Sequence, residues 1–85
     1  MKEKTKVSVA LSYTFGEKAP IVVASGKGET AKRIEEIAKK HNIKIVTDPN
    51  LAHLLSEVEI GNCIPEETYE AIASIFAFLE KKYRF

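Results

Sequence analysis

Tryptophan is absent, cysteine occurs once, and the 85 residues contain only three prolines and four glycines. The lone Cys63 excludes an internal disulfide and leaves a thiol that would stay reduced in a cytosolic setting. No stretch approaches the ~18 consecutive apolar residues of a membrane span. The opening MKEKTKVSV carries charges where a secretory leader would carry an apolar core. Charge of one sign is missing too: thirteen basic residues face twelve acidic ones, for a net charge of +1. That balance argues against a nucleic-acid partner and gives no basis for direct membrane insertion. A cytoplasmic location is expected. With no repeat, low-complexity tract or linker, residues 1–85 read as one domain with a flexible start over residues 1–5.

The elements present point to an α/β fold. Val7, Val9, Leu11 and Tyr13 alternate with Ser8, Ala10 and Ser12, which predicts a half-buried strand over residues 6–13 with its serines outward. After a turn containing Gly16, Pro20 opens the apolar run Ile21-Val22-Val23-Ala24, a second strand. Ala31, Ile34, Ile37 and Ala38 recur at helical spacing over residues 29–41, and Asn42 suits the left-handed position just past a helix end. Ile43 to Thr47 is rich in β-branched residues and predicts a third strand, parallel to the second through a right-handed βαβ crossover. Asp48-Pro49 offers an N-cap and first-turn proline for a short helix burying Leu51, Leu54, Leu55 and Val58. A last helix begins at Pro65-Glu66-Glu67, with acidic residues at its positive end and Lys81, Lys82 and Arg84 at its negative end. Its core stripe is Tyr69, Ile72, Ala73, Phe76, Leu79 and Tyr83. Phe78 falls on the opposite face, either under a second layer or exposed for a partner. The expected architecture is a small mixed sheet of three strands packed by about three helices.

Chemistry-bearing patterns are sparse. The stretch VVASGKGET, residues 22–30, passes from strand through Gly26-Lys27-Gly28 into a helix, the arrangement that aims backbone N–H groups at phosphates. It fails the Walker pattern, since Gly26-Lys27 is followed by Gly28 and no glycine stands at the required spacing before it. It meets only the loosest dinucleotide pattern, with Ala31 as third member and Thr47 ending the next strand where an acidic residue is wanted. A structural turn and a small anion- or nucleotide-binding module using the Gly26–Gly28 turn remain as readings. His41 and His53 have no partners at metal-ligand spacing, and no serine sits in a strained glycine elbow. Glu35-Glu36 and Glu66-Glu67 suit a solvated face and a helix start, and Cys63 lacks a cationic neighbour that would favour its thiolate. These residues predict no metal, no cofactor and no catalysis.

Five ordered blocks do resemble a known family: VALSY, APIVVASGKGE, RIEEIAKKHNIKIV, DPNLAHLL and EIGNCIPEETYEAIASIFAF. Together they are similar, over residues 5–80, to the cytoplasmic C-terminal domain of the flagellar export protein FlhB and its type III secretion relatives such as YscU. The resemblance implies a domain at the cytoplasmic mouth of the export gate that recognises rod- and hook-type substrates and takes part in the switch of substrate specificity. It also implies self-cleavage at an Asn-Pro-Thr-His loop ahead of the VAL strand. The corresponding residues here are Glu3, Lys4, Thr5 and Lys6, of which only Thr5 matches, so cleavage is expected to be absent. The chain then resembles an independently encoded copy of the cleaved fragment, located in the cytoplasm or peripherally at the gate. Its implied partners are export-apparatus proteins and rod- or hook-type substrates, its oligomeric state being left open. A small apolar surface that reads short hydrophobic signals falls, by this resemblance, at Ala19, Pro20, Ala73 and Phe76. Phe78 joins them as an exposed aromatic on the last helix.

Overall fold

The computed structural model describes residues 5–14 and 16–82, with side chains up to residue 79. Glu3 and Lys4 of the cleavage-loop comparison, most of the expected flexible start and Tyr83 lie outside the described residues. Two strands, β1 (Val7–Ser12) and β2 (Ile21–Lys27), are followed by helices α1 (Glu29–Lys40), α2 (Pro49–Leu55) and α3 (Tyr69–Lys82), the last preceded by one 3-10 turn, Glu66–Thr68.

The strands pair antiparallel, from Val7 opposite Lys27 to Ser12 opposite Ile21, with an irregularity between Ala10 and Leu11. That shift turns Val23 out to solvent. Both faces of the hairpin are covered. Val9, Leu11 and the fully buried Val22 pack with Leu51, Leu55, Ile64 and Ile72. The opposite face meets α1, whose Ala31 is completely buried. Ser8, expected on a solvated face, is therefore buried, and its hydroxyl donates to Glu35 Oε2 at 3.0 Å.

The expected third strand is not formed. Residues 43–47 are without regular structure, and Ile43, Ile45 and Val46 are exposed. The sheet has two antiparallel strands among the described residues, so the parallel βαβ unit is also absent. β-branched residues favour an extended chain, but a strand exists only when it finds an edge to pair with. The outer edge of β2 is already occupied: Val22 N–H donates to Asn62 O, Gly61 N–H to Val22 O and Ile64 N–H to Pro20 O. The outer edge of β1 faces a wide slot.

Helix boundaries follow the capping chemistry. Asn42 adopts φ 59°, and the bonds Asn42 N–H to Lys39 O and Ile43 N–H to Ala38 O close the end of α1 as a Schellman motif. Asp48 Oδ1 accepts from Leu51 N–H at 3.1 Å, capping α2 with Pro49 in its first turn. That helix is shorter than its apolar spacing suggested, and Leu54, like Ile37 on α1, points to solvent.

Candidate functional site

Between α3 and the chain before β2 opens an apolar groove of about 530 Å³. Ala19 and Pro20 are both buried and contribute to its lining with Ile64 and Ile72. On α3, Tyr69, Ala73 and Ala77 stand four residues apart, with Phe76 beside them, so one helical face supplies two aromatic rings and two small residues. Tyr13, at the end of β1, closes the groove by packing its ring against Phe76, with centroids 5.9 Å apart and planes tilted by 48°. Lys18 is the one ionisable amine in the lining. The small exposed side chains of Ala73 and Ala77 leave room for a ligand backbone, while Tyr69 and Phe76, half-buried, offer broad apolar contact. This arrangement suits a short hydrophobic peptide segment.

Four of the five residues singled out from sequence meet here: Ala19, Pro20, Ala73 and Phe76. The helical wheel had assigned Ala73 to the core, and the structure corrects this by exposing it at the groove. The wheel cannot tell which part of an apolar stripe lies beyond the end of the sheet it packs on. Phe78 is not part of the groove lining and is 62% exposed, with no second layer over it among the described residues. Tyr13, Ile64, Tyr69 and Ala77 were not anticipated as groove residues. The i, i+4 pair Ala73/Ala77 next to aromatic residues was the legible signal for the helical side.

The Gly26–Gly28 stretch has structural reasons for both glycines. Gly26 belongs to β2, where a Cβ would collide with the Thr30 side chain. Gly28 takes φ 59° and ψ −123°, backbone that side chains resist, and its N–H donates to Lys6 O at 2.8 Å. That amide is engaged within the fold, and Glu29 places a negative charge in the first turn of α1. His41, just past the end of α1, and His53, on α2, are both exposed, and no group of three or more potential ligands gathers among the described residues. Cys63 is exposed in the loop beside β2.

One charged cluster joins α1 to the sheet. Lys6 Nζ lies 3.0 Å from Glu35 Oε1 while Ser8 bonds the other carboxylate oxygen. The hydrogen bond from Lys6, aided by that from Ser8 and opposed by partial desolvation, holds the Glu35 carboxyl below the usual glutamate range. Half-exposed as Lys6 is, the pair serves mainly to fix the position of α1.

Comparison with known proteins agrees with the fold and the blocks. The chain matches the family described as FlhB HrpN YscU SpaS over residues 3–79. It is 39% identical to the protein YlqH of Bacillus subtilis, over 95% of this chain and 90% of that protein. It is 43% identical to the flagellar biosynthetic protein FlhB of Aquifex aeolicus, over 88% of this chain but only 22% of FlhB. The chain thus spans about a fifth of the FlhB proteins it matches. Its structure superposes on the cytoplasmic domain of Shewanella putrefaciens FlhB with a TM-score of 0.81 at 34% identity, covering 85% of this chain and 60% of that one. A mutated EscU C-terminal domain gives 0.81 at 28% identity, covering 88% and 93%. No helix among the described residues is long and apolar enough to cross a membrane. In ordered sequence blocks, in fold and in the match over residues 3–79, this chain belongs to the FlhB HrpN YscU SpaS family, and corresponds to its cytoplasmic C-terminal domain.

Proposed function

We propose that the chain is a non-enzymatic component or regulator of flagellar type III protein export that binds a short apolar segment of an export substrate or of an export-gate protein. The observation that carries this reading is the groove: Ala19 and Pro20 from the chain before β2 and Ala73 and Phe76 from α3 converge on one apolar cleft. A peptide laid there covers Tyr69, Ala73 and Phe76 and removes apolar surface from water, while Lys18 remains available to a carboxylate or carbonyl at the rim. Rod- and hook-type substrates fit as partners because a few apolar residues in an extended segment suffice to fill such a cleft. The place of action would be the cytoplasmic side of the export gate, reached peripherally, and the domain could substitute for the cleaved C-terminal domain of FlhB.

Self-cleavage has no part in this function, since Glu3 and Lys4 stand where the cleavage loop would need asparagine and proline. The competing reading, an anion-binding module at the Gly26–Gly28 turn, draws no support from an amide already bonded to Lys6.

Complementation tests the proposal. The chain is expressed in a strain whose FlhB ends before its cytoplasmic C-terminal domain, and secretion of hook-type substrate into the medium is measured. Restored secretion is expected. No restoration at an expression level matched to a working FlhB domain would refute the substitution.

A further inference from the structure

The groove and the slot along β1 share a wall. Three residues, Tyr13, Ile72 and Phe76, line both the groove of about 530 Å³ and the slot of about 1370 Å³. Helix geometry explains why these three. On α3 the row Tyr69, Ala73 and Ala77 faces the groove and the row Ile75 and Leu79 faces the slot, so Ile72 and Phe76 form the row between. Tyr13 completes the wall by packing on Phe76. Its parts are held with unequal firmness. Ile72 is buried in the core and Phe76 packs against that core, whereas Tyr13 is 47% exposed. The Tyr13 hydroxyl has no hydrogen-bond partner among the described residues, which leaves the ring contact with Phe76 to hold the side chain. Its backbone is fixed from both sides. Ser12 pairs with Ile21, and the turn that follows is closed by Glu17 N–H to Thr14 O at 2.9 Å and Thr14 N–H to Glu17 Oε1 at 2.8 Å.

We propose that Tyr13 is the specificity-determining residue of the groove, the part of the wall that limits the size of an apolar side chain bound there. The proposal rests on the peptide-binding reading of the groove and deepens it. Ala19, Pro20 and Ile64 are buried and Tyr69 packs on the core, so together they set a fixed outline. Ala73 and Ala77, exposed and small, open the helical side of the groove to a side chain pointing at the wall. A leucine-sized group seated over Ala73 ends against Phe76 and the Tyr13 ring, with the ring surface as its apolar contact. A two-ring side chain has to displace that ring or stay out. Behind the wall the space continues towards Leu11 and Ile75, so removal of the ring adds apolar volume to the groove. The same removal leaves the core untouched, because Ile72 and Val22 stay buried by other neighbours.

Two blocked peptides of the form Ala-X-Ala-X-Ala, with X leucine or tryptophan, test the assignment. Both X side chains leave an extended backbone on one face, and the symmetric sequence presents them in either chain direction. Each peptide is titrated into the full chain and into Tyr13→Phe, Tyr13→Ala and Tyr13→Trp, with amide shifts followed at Ala19, Ala73 and Ala77. The parent and Tyr13→Phe should favour the leucine peptide by about tenfold, the scale on which an apolar pocket discriminates side-chain size. Tyr13→Ala should reverse that order, and Tyr13→Trp, which thickens the wall without removing a contact, should widen the preference for leucine. Equal weakening of both peptides in Tyr13→Ala would mark a ring that only supports the fold and would overturn the proposal. One order of preference with one magnitude in the parent, Tyr13→Ala and Tyr13→Trp, or a parent that favours tryptophan, would overturn it as well. In those cases the peptides still bind and the groove reading stands. No saturable shift from either peptide in any of the four chains would overturn the groove reading and the role of Tyr13 with it.

Discussion

The replacement Ala73→Asp separates binding from folding in one residue. Ala73 is exposed on α3, so the substitution creates no cavity and buries no charge in the free chain. Its cost to folding is mainly helix propensity, about 0.6 kcal/mol for aspartate in place of alanine within a helix. A domain of 85 residues commands about 4–13 kcal/mol of stability, so it stays folded, with a melting temperature about 3–5 °C lower. Docking of an apolar segment, by contrast, would press the new carboxylate against Phe76 and Tyr69 and strip its water. Even partial desolvation of an unpaired carboxylate costs several kcal/mol, and about 3 kcal/mol corresponds to a loss of affinity of over 100-fold. Lys18 lines the same groove and could partly neutralise the aspartate, so Ala73→Lys, which sets a cation beside a cation, is the stricter companion. The assay pairs urea unfolding with hook-substrate secretion in the complemented strain. Both variants should retain a cooperative transition near that of the parent and lose secretion. Parent-level secretion by both would refute the assignment of the groove, and an unfolded Ala73→Lys chain would refute the exposure of Ala73.

Gly28→Ala should lower stability by about 1–3 kcal/mol in chemical denaturation, because the residue sits at a positive φ that disfavours a Cβ, while inorganic phosphate should cause no saturable amide shift from Gly26 to Thr30 in the parent. Asp48→Ala removes the acceptor for Leu51 N–H and should cost about 1 kcal/mol by the same measurement, with Asp48→Asn recovering most of it. Glu35 has a lowered folded-state pKa, so its contribution is present above the ordinary glutamate value, about 4.3, and is lost as pH falls through the lower value in the folded chain. Unfolding midpoints measured across that acid range should therefore fall less steeply for Glu35→Gln than for the parent, and identical slopes would remove the pair from the account of acid sensitivity.

Local chemistry was legible wherever neighbours in sequence decide the outcome. The end of α1 at Asn42, the cap of α2 at Asp48 and the two strands around a turn were all readable, because each rests on hydrogen bonds or alternation within a few residues. The ordered blocks identified the family for a related reason: their spacing is a property of the chain alone. Groove residues were half legible. Ala19, Pro20, Ala73 and Phe76 came from the family resemblance, whereas Tyr13 and Ile64 joined them only because the chain folds back on itself.

Residues 43–47 show where sequence stops deciding. Their β-branched composition determines an extended chain, and nothing local determines whether an edge will be there to receive it. The tertiary structure gave the edge of β2 to residues 61–64, left that of β1 facing the slot, and so left Ile43, Ile45 and Val46 in solvent. Ser8 went the other way, its outward serine pattern overridden once α1 covered that face and supplied Glu35. The sequence by itself determined which segments are helical or extended and to which family the chain belongs. Pairing, burial on the second sheet face and the exposure of Ala73 were decided only by packing, because each depends on which distant segment occupies the adjoining space.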